Sequence, residues 1–303
     1  MKFAIAMVTY NRLSCLKKAI KCYEEQSYKP TYIVIVDNCS TDGTDVFLKD
    51  WMKVPSEIHK LVITTESNLG GSGGFYRALD TAENIDCDFV FLADDDAYAD
   101  RDMLKYLMDY YSAYPEQNKI AALCTKNINQ GKIDTMHRRR IYRGLVSLKQ
   151  VWLDESYYNS QAFEVEELSF VGAAIKREVI NNIGLPKQEY FIYYDDTEYS
   201  ARIRSMGKIM CVSASTMYHD SPAPDGSFSW KTYYVVRNEI DSIKSHFPKR
   251  YYYYSVVSHY IKNVSVASLL KKRTKQERRM CKTAIEDAIH GRLGKNPDFL
   301  PKK

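Results

Sequence analysis

An α/β fold, with a mostly parallel sheet covered by helices on both faces, is what this chain predicts for its larger part. Two observations carry that expectation. Short β-rich runs at residues 2–8, 32–36, 60–64 and 88–92 alternate with segments of helical period. Polar residues also stand just past the C-terminal ends of successive runs, where open α/β sheets bind ligands. The helical segments are amphipathic: Leu13, Leu16, Ile20 and Tyr23 share one face, as do Phe75, Ala78, Leu79 and Ala82. Residues 120–124 read as a fifth strand. Residues 125–168 are less regular, with a basic run (His137-Arg138-Arg139-Arg140) and an aromatic patch (Trp152, Tyr157, Tyr158), and read as an insertion flanking the active site. Strand-like composition returns at 168–175, 190–194 and 209–212, with a helix starting near Asp196. From Trp230 onward the chain reads as helical and basic, so residues 1–229 are expected to form the α/β domain and 230–303 a C-terminal helical region.

At 303 residues the chain can bury a substantial core. Its seven cysteines are scattered without a CxxC pair, which indicates neither a zinc site nor a disulfide framework and suits a reducing cytoplasm. The apolar stretch at residues 3–8 is too short for an export signal, and no run reaches the ~18 apolar residues of a membrane-spanning helix. The reading is a soluble or peripheral protein. Charge is uneven: residues 244–303 carry fifteen Lys/Arg against four Asp/Glu, a local +11, which leaves about −6 on the rest of a chain whose net charge is +5. An acidic body suits cation binding, and a basic tail suits an anionic surface.

Asp94-Asp95-Asp96, directly after an apolar strand, is the sharpest local signal. Three adjacent carboxylates repel one another and are costly at a strand end unless a cation compensates them. Asp37 and Asn68 follow two other strands and should meet them in one crevice. Asn68-Leu69-Gly70-Gly71-Ser72-Gly73-Gly74 reads as a glycine-rich loop leading into a helix at Phe75, where backbone N–H groups could approach an anion. It is neither a dinucleotide fingerprint nor a P-loop. Asp195-Asp196 opens a helix after an aromatic run and offers a carboxylate base beside a sugar platform. His219, after another strand, is a candidate further metal ligand.

Over residues 1–240 these segments together resemble family 2 of the GT-A glycosyltransferases. The resemblance lies in Val8-Thr9-Tyr10-Asn11-Arg12, in Val36-Asp37-Asn38-Cys39-Ser40-Thr41-Asp42-Gly43-Thr44, in the acidic triplet, and in Phe191-Ile192-Tyr193-Tyr194-Asp195-Asp196. Residues 68–75, with Tyr233-Tyr234-Val235-Val236-Arg237-Asn238, look most like the galactofuranosyltransferase and rhamnosyltransferase branch. The resemblance implies a GT-A fold and an inverting, metal-dependent transfer of a sugar from a nucleotide-diphosphate donor to a glycan or lipid-linked acceptor of a bacterial cell-surface polysaccharide. It assigns the nucleobase to Asp37, the nucleotide to Thr9 and Arg12, and the ribose or pyrophosphate side to Asn68. The metal goes to Asp94, Asp96 and His219, the donor sugar to Asp95, and the role of base to Asp196 with Asp195 as fallback. Tyr194 stands where the branch often has tryptophan.

Hard carboxylate ligands suit Mg²⁺ or Mn²⁺, and an imidazole tilts the choice to Mn²⁺. UDP-galactofuranose is the preferred donor and dTDP-rhamnose the second. Two competing readings remain. A nucleotidyltransferase would carry Arg and Lys in a Gly-rich loop after the first strand, where Thr9-Tyr10-Asn11-Arg12 stands instead. A nucleic-acid-binding protein acting through its basic tail would not need the acidic crevice. The tail is expected to meet the cytoplasmic face of the membrane through Tyr251-Tyr252-Tyr253-Tyr254 and the basic residues Lys271, Lys272, Arg273, Lys275, Arg278, Arg279 and Lys282.

Overall fold

β1 (Phe3–Thr9) is wholly buried, and its alternation decides the layering. Phe3, Ile5 and Met7 enter one apolar cluster, while Ala4, Ala6 and Val8 enter another on the opposite face. A computed structural model describes residues 1–219, 227–270 and 272–300. Lys271, and residues 220–222 after His219, lie outside the described residues.

The chain continues through α1 (Leu13–Glu24), β2 (Tyr32–Asp37), α2 (Thr44–Lys53), β3 (His59–Thr64), α3 (Gly70–Ala82), β4 (Phe89–Asp94), β5 (Ala97–Ala99) and α4 (Met103–Ala113). Next come β6 (Ile120–Asn129), β7 (Lys132–Ile133), β8 (Arg138–Arg143), β9 (Leu148–Trp152), β10 (Ala162–Val165), β11 (Glu167–Leu168), β12 (Ala173–Lys176) and α5 (Arg177–Ile183). It ends with α6 (Asp195–Met206), β13 (Lys208–His219), α7 (Lys231–His246), α8 (Lys249–Tyr260), α9 (Val266–Leu269) and α10 (Lys275–His290).

The central sheet runs β10-β13-β6-β12-β4-β1-β2-β3, parallel from β4 to β3 and between β6 and β13, with β12 antiparallel to both its neighbours. Helices α1, α2 and α4 cover one face through Leu16, Ile20, Leu48, Trp51 and Leu104. Helices α3, α5 and α6 cover the other through Phe75, Leu79, Ile180, Tyr199 and Ile203. A third cluster joins α7 and α10 through Tyr233, Tyr234, Ile240, Met280 and Ile285, and reaches Phe191 of the main body.

Three expectations need correction. Residues 125–168 are strand-rich: β6 extends to Asn129, and β8 and β9 form a second, small sheet in the order β11-β8-β9. The run at 168–175 divides, because β11 joins that small sheet and β12 the central one. Residues 190–194 are not a strand; Phe191, Tyr193 and Tyr194 all have φ between 62° and 67°, which no strand tolerates.

Candidate active site

Strand register assembles the first wall of the site. Thr9 lies opposite Asp37 across β1 and β2, and Val8 lies opposite Asp94 across β1 and β4, so three strand ends share one edge. β5 then pairs with the end of β13, which sets His219 opposite Ala97 and brings its ring to Asp96. His219 Nε2 stands 3.3 Å from Asp96 Oδ1. The Thr9 hydroxyl donates to Asp95 at 2.7 Å, and the Arg12 guanidinium pairs with Asp95 at 3.4 Å and with Asp96.

The second wall comes from an unusual loop. Asp195 and Asp196 sit in the first turn of α6, where the helix dipole favours negative charge. Residues 190–194 deliver them there on strained backbone, and that strain is held in place by α7. Asn238 Nδ2 donates to the carbonyls of Tyr190, Ile192 and Tyr193 at 3.0, 3.0 and 2.9 Å. The buried Arg237 donates to those of Glu189 and Tyr190. The Arg237-Asn238 pair, noticed in the sequence only as part of a resemblance, is a clamp on this loop.

The glycine-rich segment also differs from expectation. It is not a loop before a helix: α3 begins at Gly70 itself. Gly70 has φ of +75°, and a Cβ there would stand 2.0 Å from the Phe191 carbonyl oxygen. At Gly74 it would meet Val8 at 2.4 Å, so these glycines let α3 lie close on β1 and on the strained loop. Gly71, where an added Cβ would meet nothing within 4 Å, lines the cleft.

A cleft of about 550 Å³ lies between the two walls. Thr9, Arg12, Asn68, Asp94, Asp95, Asp195 and Asp196 all line it. Asp96 and His219 are not among its lining residues, although their ligand atoms lie close to those of Asp94. Asp37 is fully buried: Oδ1 accepts from the Ser40 N–H at 3.0 Å, Oδ2 has no hydrogen-bond partner among the described residues, and its neighbour Asn38 reaches the cleft instead. Asn68 accepts from the Gly70 N–H at 2.8 Å and so fixes the start of α3.

Electrostatics separate the carboxylates. Burial, then the charges of Asp96 and Asp95, push Asp94 up to about 7. Burial pushes Asp95 up to about 6 against the opposing Thr9 and Arg12 contacts. Burial acts the same way on Asp96, but His219 and Arg12 outweigh it and hold Asp96 below the usual range. Asp195 is raised to about 7 by burial and then by Asp196.

Asp94, Asp96 and His219 offer ligand atoms that all lie within 4.8 Å of one another. His219 Nδ1 has no hydrogen-bond partner among the described residues, and the crowded carboxylates are a charge that a cation would relieve. Two oxygens and one imidazole nitrogen fit a divalent ion.

Sequence reasoning missed several groups. Trp230 and Lys231 line the cleft, together with Tyr193 of the aromatic run expected to form a sugar platform. Asp134 and His137 stand close enough to His219 to form a second ligand cluster with it. Arg139 reaches across to α6, donating to Thr197 Oγ1 at 3.1 Å with Asp196 at 3.8 Å. The basic run was visible, but only the β8–β11 pairing shows which of its arginines faces the site; Arg138 is instead wholly buried, donating to the carbonyls of Thr125, Val171 and Gly172.

The model of glycosyl transferase family 2 matches residues 4–184, more than half of the chain, which takes in Thr9, Arg12 and the acidic triplet but neither His219 nor Asp195 and Asp196. The chain belongs to that family. It is a glycosyltransferase with a GT-A fold. It is similar to galactofuranosyltransferase GlfT1 of Mycolicibacterium smegmatis, 25% identical over 215 residues, which are 70% of this chain and 69% of that protein. It is also similar to the O-antigen chain rhamnosyltransferase RfbN of Salmonella typhimurium, 23% identical over 225 residues, 73% of this chain and 67% of that one. Among solved structures, GalNAc-T7 with UDP, GalNAc and Mn²⁺ superposes with a TM-score of 0.66 at 15% identity, covering 96% of this chain and 56% of that chain. The two relatives are enzymes of bacteria.

Proposed function

We propose that this glycosyltransferase is inverting and divalent-metal-dependent, and that it moves galactofuranose from UDP-galactofuranose to a glycan or lipid-linked acceptor of a bacterial cell-surface polysaccharide. The observation that carries the reading is that Asp94, a member of the Asp94–Asp96–His219 cluster, lines one cleft together with the Asp195–Asp196 pair. Residues 1–229 would be the catalytic domain and 230–303 the helical region that supports its second wall.

Asp94, Asp96 and His219 would hold Mn²⁺ or Mg²⁺, and the GalNAc-T7 structure, which holds UDP and Mn²⁺ together, supports this on the same fold. When bound, such an ion neutralises charge developing on a pyrophosphate leaving group. Thr9 and Arg12 would meet the nucleotide, Asn68 its ribose or pyrophosphate side, and Asp95 the donor sugar, while the buried Asp37 would support the nucleobase end from behind Asn38, which lines the cleft. Asp196 would take the proton of the acceptor hydroxyl from the opposite side, which gives displacement with inversion. Asp195, buried and raised to about 7, is the fallback.

The galactofuranosyl relative supports the donor choice, and the rhamnosyl relative supports dTDP-rhamnose as the second. A donor-hydrolysis screen of UDP-galactofuranose, dTDP-rhamnose and UDP-glucose with Mn²⁺ tests it. Slow turnover of UDP-galactofuranose is expected, and turnover of UDP-glucose alone would contradict the donor while leaving the family intact.

A further inference from the structure

A second cavity, of about 400 Å³, lies on the far side of the strained loop. Tyr193, Asp195 and Asp196 face the cleft, whereas Tyr194 and Thr197 face this cavity, so residues 193–197 are a shared partition. Its opposite wall is one face of the small sheet. Strand periodicity puts Leu148, Gln150 and Trp152 of β9 on that face, and cross-strand pairing adds Ile141 and Arg139 of β8 and Glu167 of β11. Helix α7 closes it with Glu239, and Phe247 follows at its C-terminal end.

The lining chemistry is specific. Trp152 leaves 59% of its surface exposed at an edge strand, an arrangement that folding alone does not favour. Beside it stand planar polar groups: Gln150 donates to Glu167 at 2.8 Å, and Glu167 meets Arg139 at 3.3 Å. A flat apolar face next to carboxylate and amide groups suits a sugar ring, whose C–H face is apolar and whose hydroxyls pair with planar acceptors.

The same groups lead to the proposed base. Arg139 joins Glu167 on the cavity side to Asp196 on the cleft side. In the other direction the cavity leads to α8: the Tyr251 hydroxyl donates to the Gly144 carbonyl in the β8–β9 turn at 3.1 Å, and Glu239 pairs with His259 at 3.3 Å. We propose that this cavity is a subsite for a carbohydrate unit of the acceptor, held across the Tyr194–Thr197 partition from the reacting hydroxyl. The proposal rests on the glycosyltransferase reading of the cleft.

Saturation-transfer NMR with methyl β-D-galactofuranoside and methyl α-L-rhamnopyranoside, on full-length protein saturated with UDP and Mn²⁺, tests it. Trp152→Ala and Gln150→Ala both alter exposed side chains of an edge strand. Each should weaken glycoside binding at least tenfold while UDP affinity stays at its wild-type value, and Trp152→Ala should also keep the wild-type melting temperature. Glycoside binding unchanged in both variants would overturn the subsite. So would the absence of saturation transfer to either glycoside from wild-type protein that binds UDP with Mn²⁺. Wild-type protein that binds no UDP in the presence of Mn²⁺ would instead overturn the reading of the cleft, and the subsite with it.

Discussion

Asp195 and Asp196 are neighbours in the chain with different surroundings. Asp196 Oδ1 accepts from the Thr197 N–H at 2.6 Å while Oδ2 faces Arg139 and the cleft, whereas Asp195 is 8% exposed and raised to about 7. A carboxyl whose folded pKa exceeds its unfolded value favours folding fully below the ordinary range near ~4, and loses that advantage as pH rises through the folded value. Wild-type protein should therefore gain stability between pH 8 and pH 5.5 through this group. Asp195→Asn should flatten that gain and stabilise the chain at pH 8 by on the order of 1–3 kcal/mol. Chemical denaturation at the two pH values checks it. Asp196→Asn should lower transfer by roughly two to four orders of magnitude and leave UDP affinity unchanged; lost UDP affinity would move Asp196 to the donor side. The acidic triplet was legible in sequence because its carboxylates adjoin one another after an apolar strand. Arg139 and Glu167 were not, since their reach to Asp196 depends on a strand pairing that no local pattern encodes.

At the scale of elements, the central strands and their helices follow from alternation and helical period, and so does the convergence at one sheet edge. The aromatic run at 190–194 misleads for a definite reason: its composition suits a strand, but its backbone visits the left-handed region three times and is held there by Arg237 and Asn238 from α7. The glycines of α3 mislead in the opposite sense. They look like a flexible loop, yet Gly74 serves contact with Val8 inside a helix. Substitution separates the two roles. Gly71→Ala, with open space around it, should be neutral or stabilise by up to about 1 kcal/mol. Gly74→Ala should destabilise by about 1–3 kcal/mol through overpacking against β1. Thermal melts of the two proteins decide between packing and loop flexibility.

At the scale of the whole molecule, the charge asymmetry read from sequence coincides with an exposed apolar stripe that sequence did not reveal. Tyr253 and Val257 of α8, Ile261 just after it and Leu269 of α9 are 61, 54, 49 and 81% exposed, and no helix among the described residues is long and apolar enough to cross a membrane. Such a stripe, with Lys249, Arg250, Lys262 and Lys272 nearby in the chain, suits shallow insertion at an anionic bilayer, the proposed cytoplasmic face where a lipid-linked acceptor would be met. Co-sedimentation with vesicles should require anionic lipid, fall with added salt, and drop severalfold in Val257→Ser/Leu269→Ser. Equal binding to neutral vesicles would return the stripe to a protein contact. The central claim, a metal-dependent nucleotide site at the Asp94–Asp96–His219 cluster, is tested most directly by calorimetric titration of UDP into the full-length protein. With Mn²⁺ present, UDP should bind at least tenfold more tightly than in a chelator, and Asp96→Ala should remove that difference. Equal UDP affinity with and without Mn²⁺, or a full Mn²⁺ effect in Asp96→Ala, would contradict it.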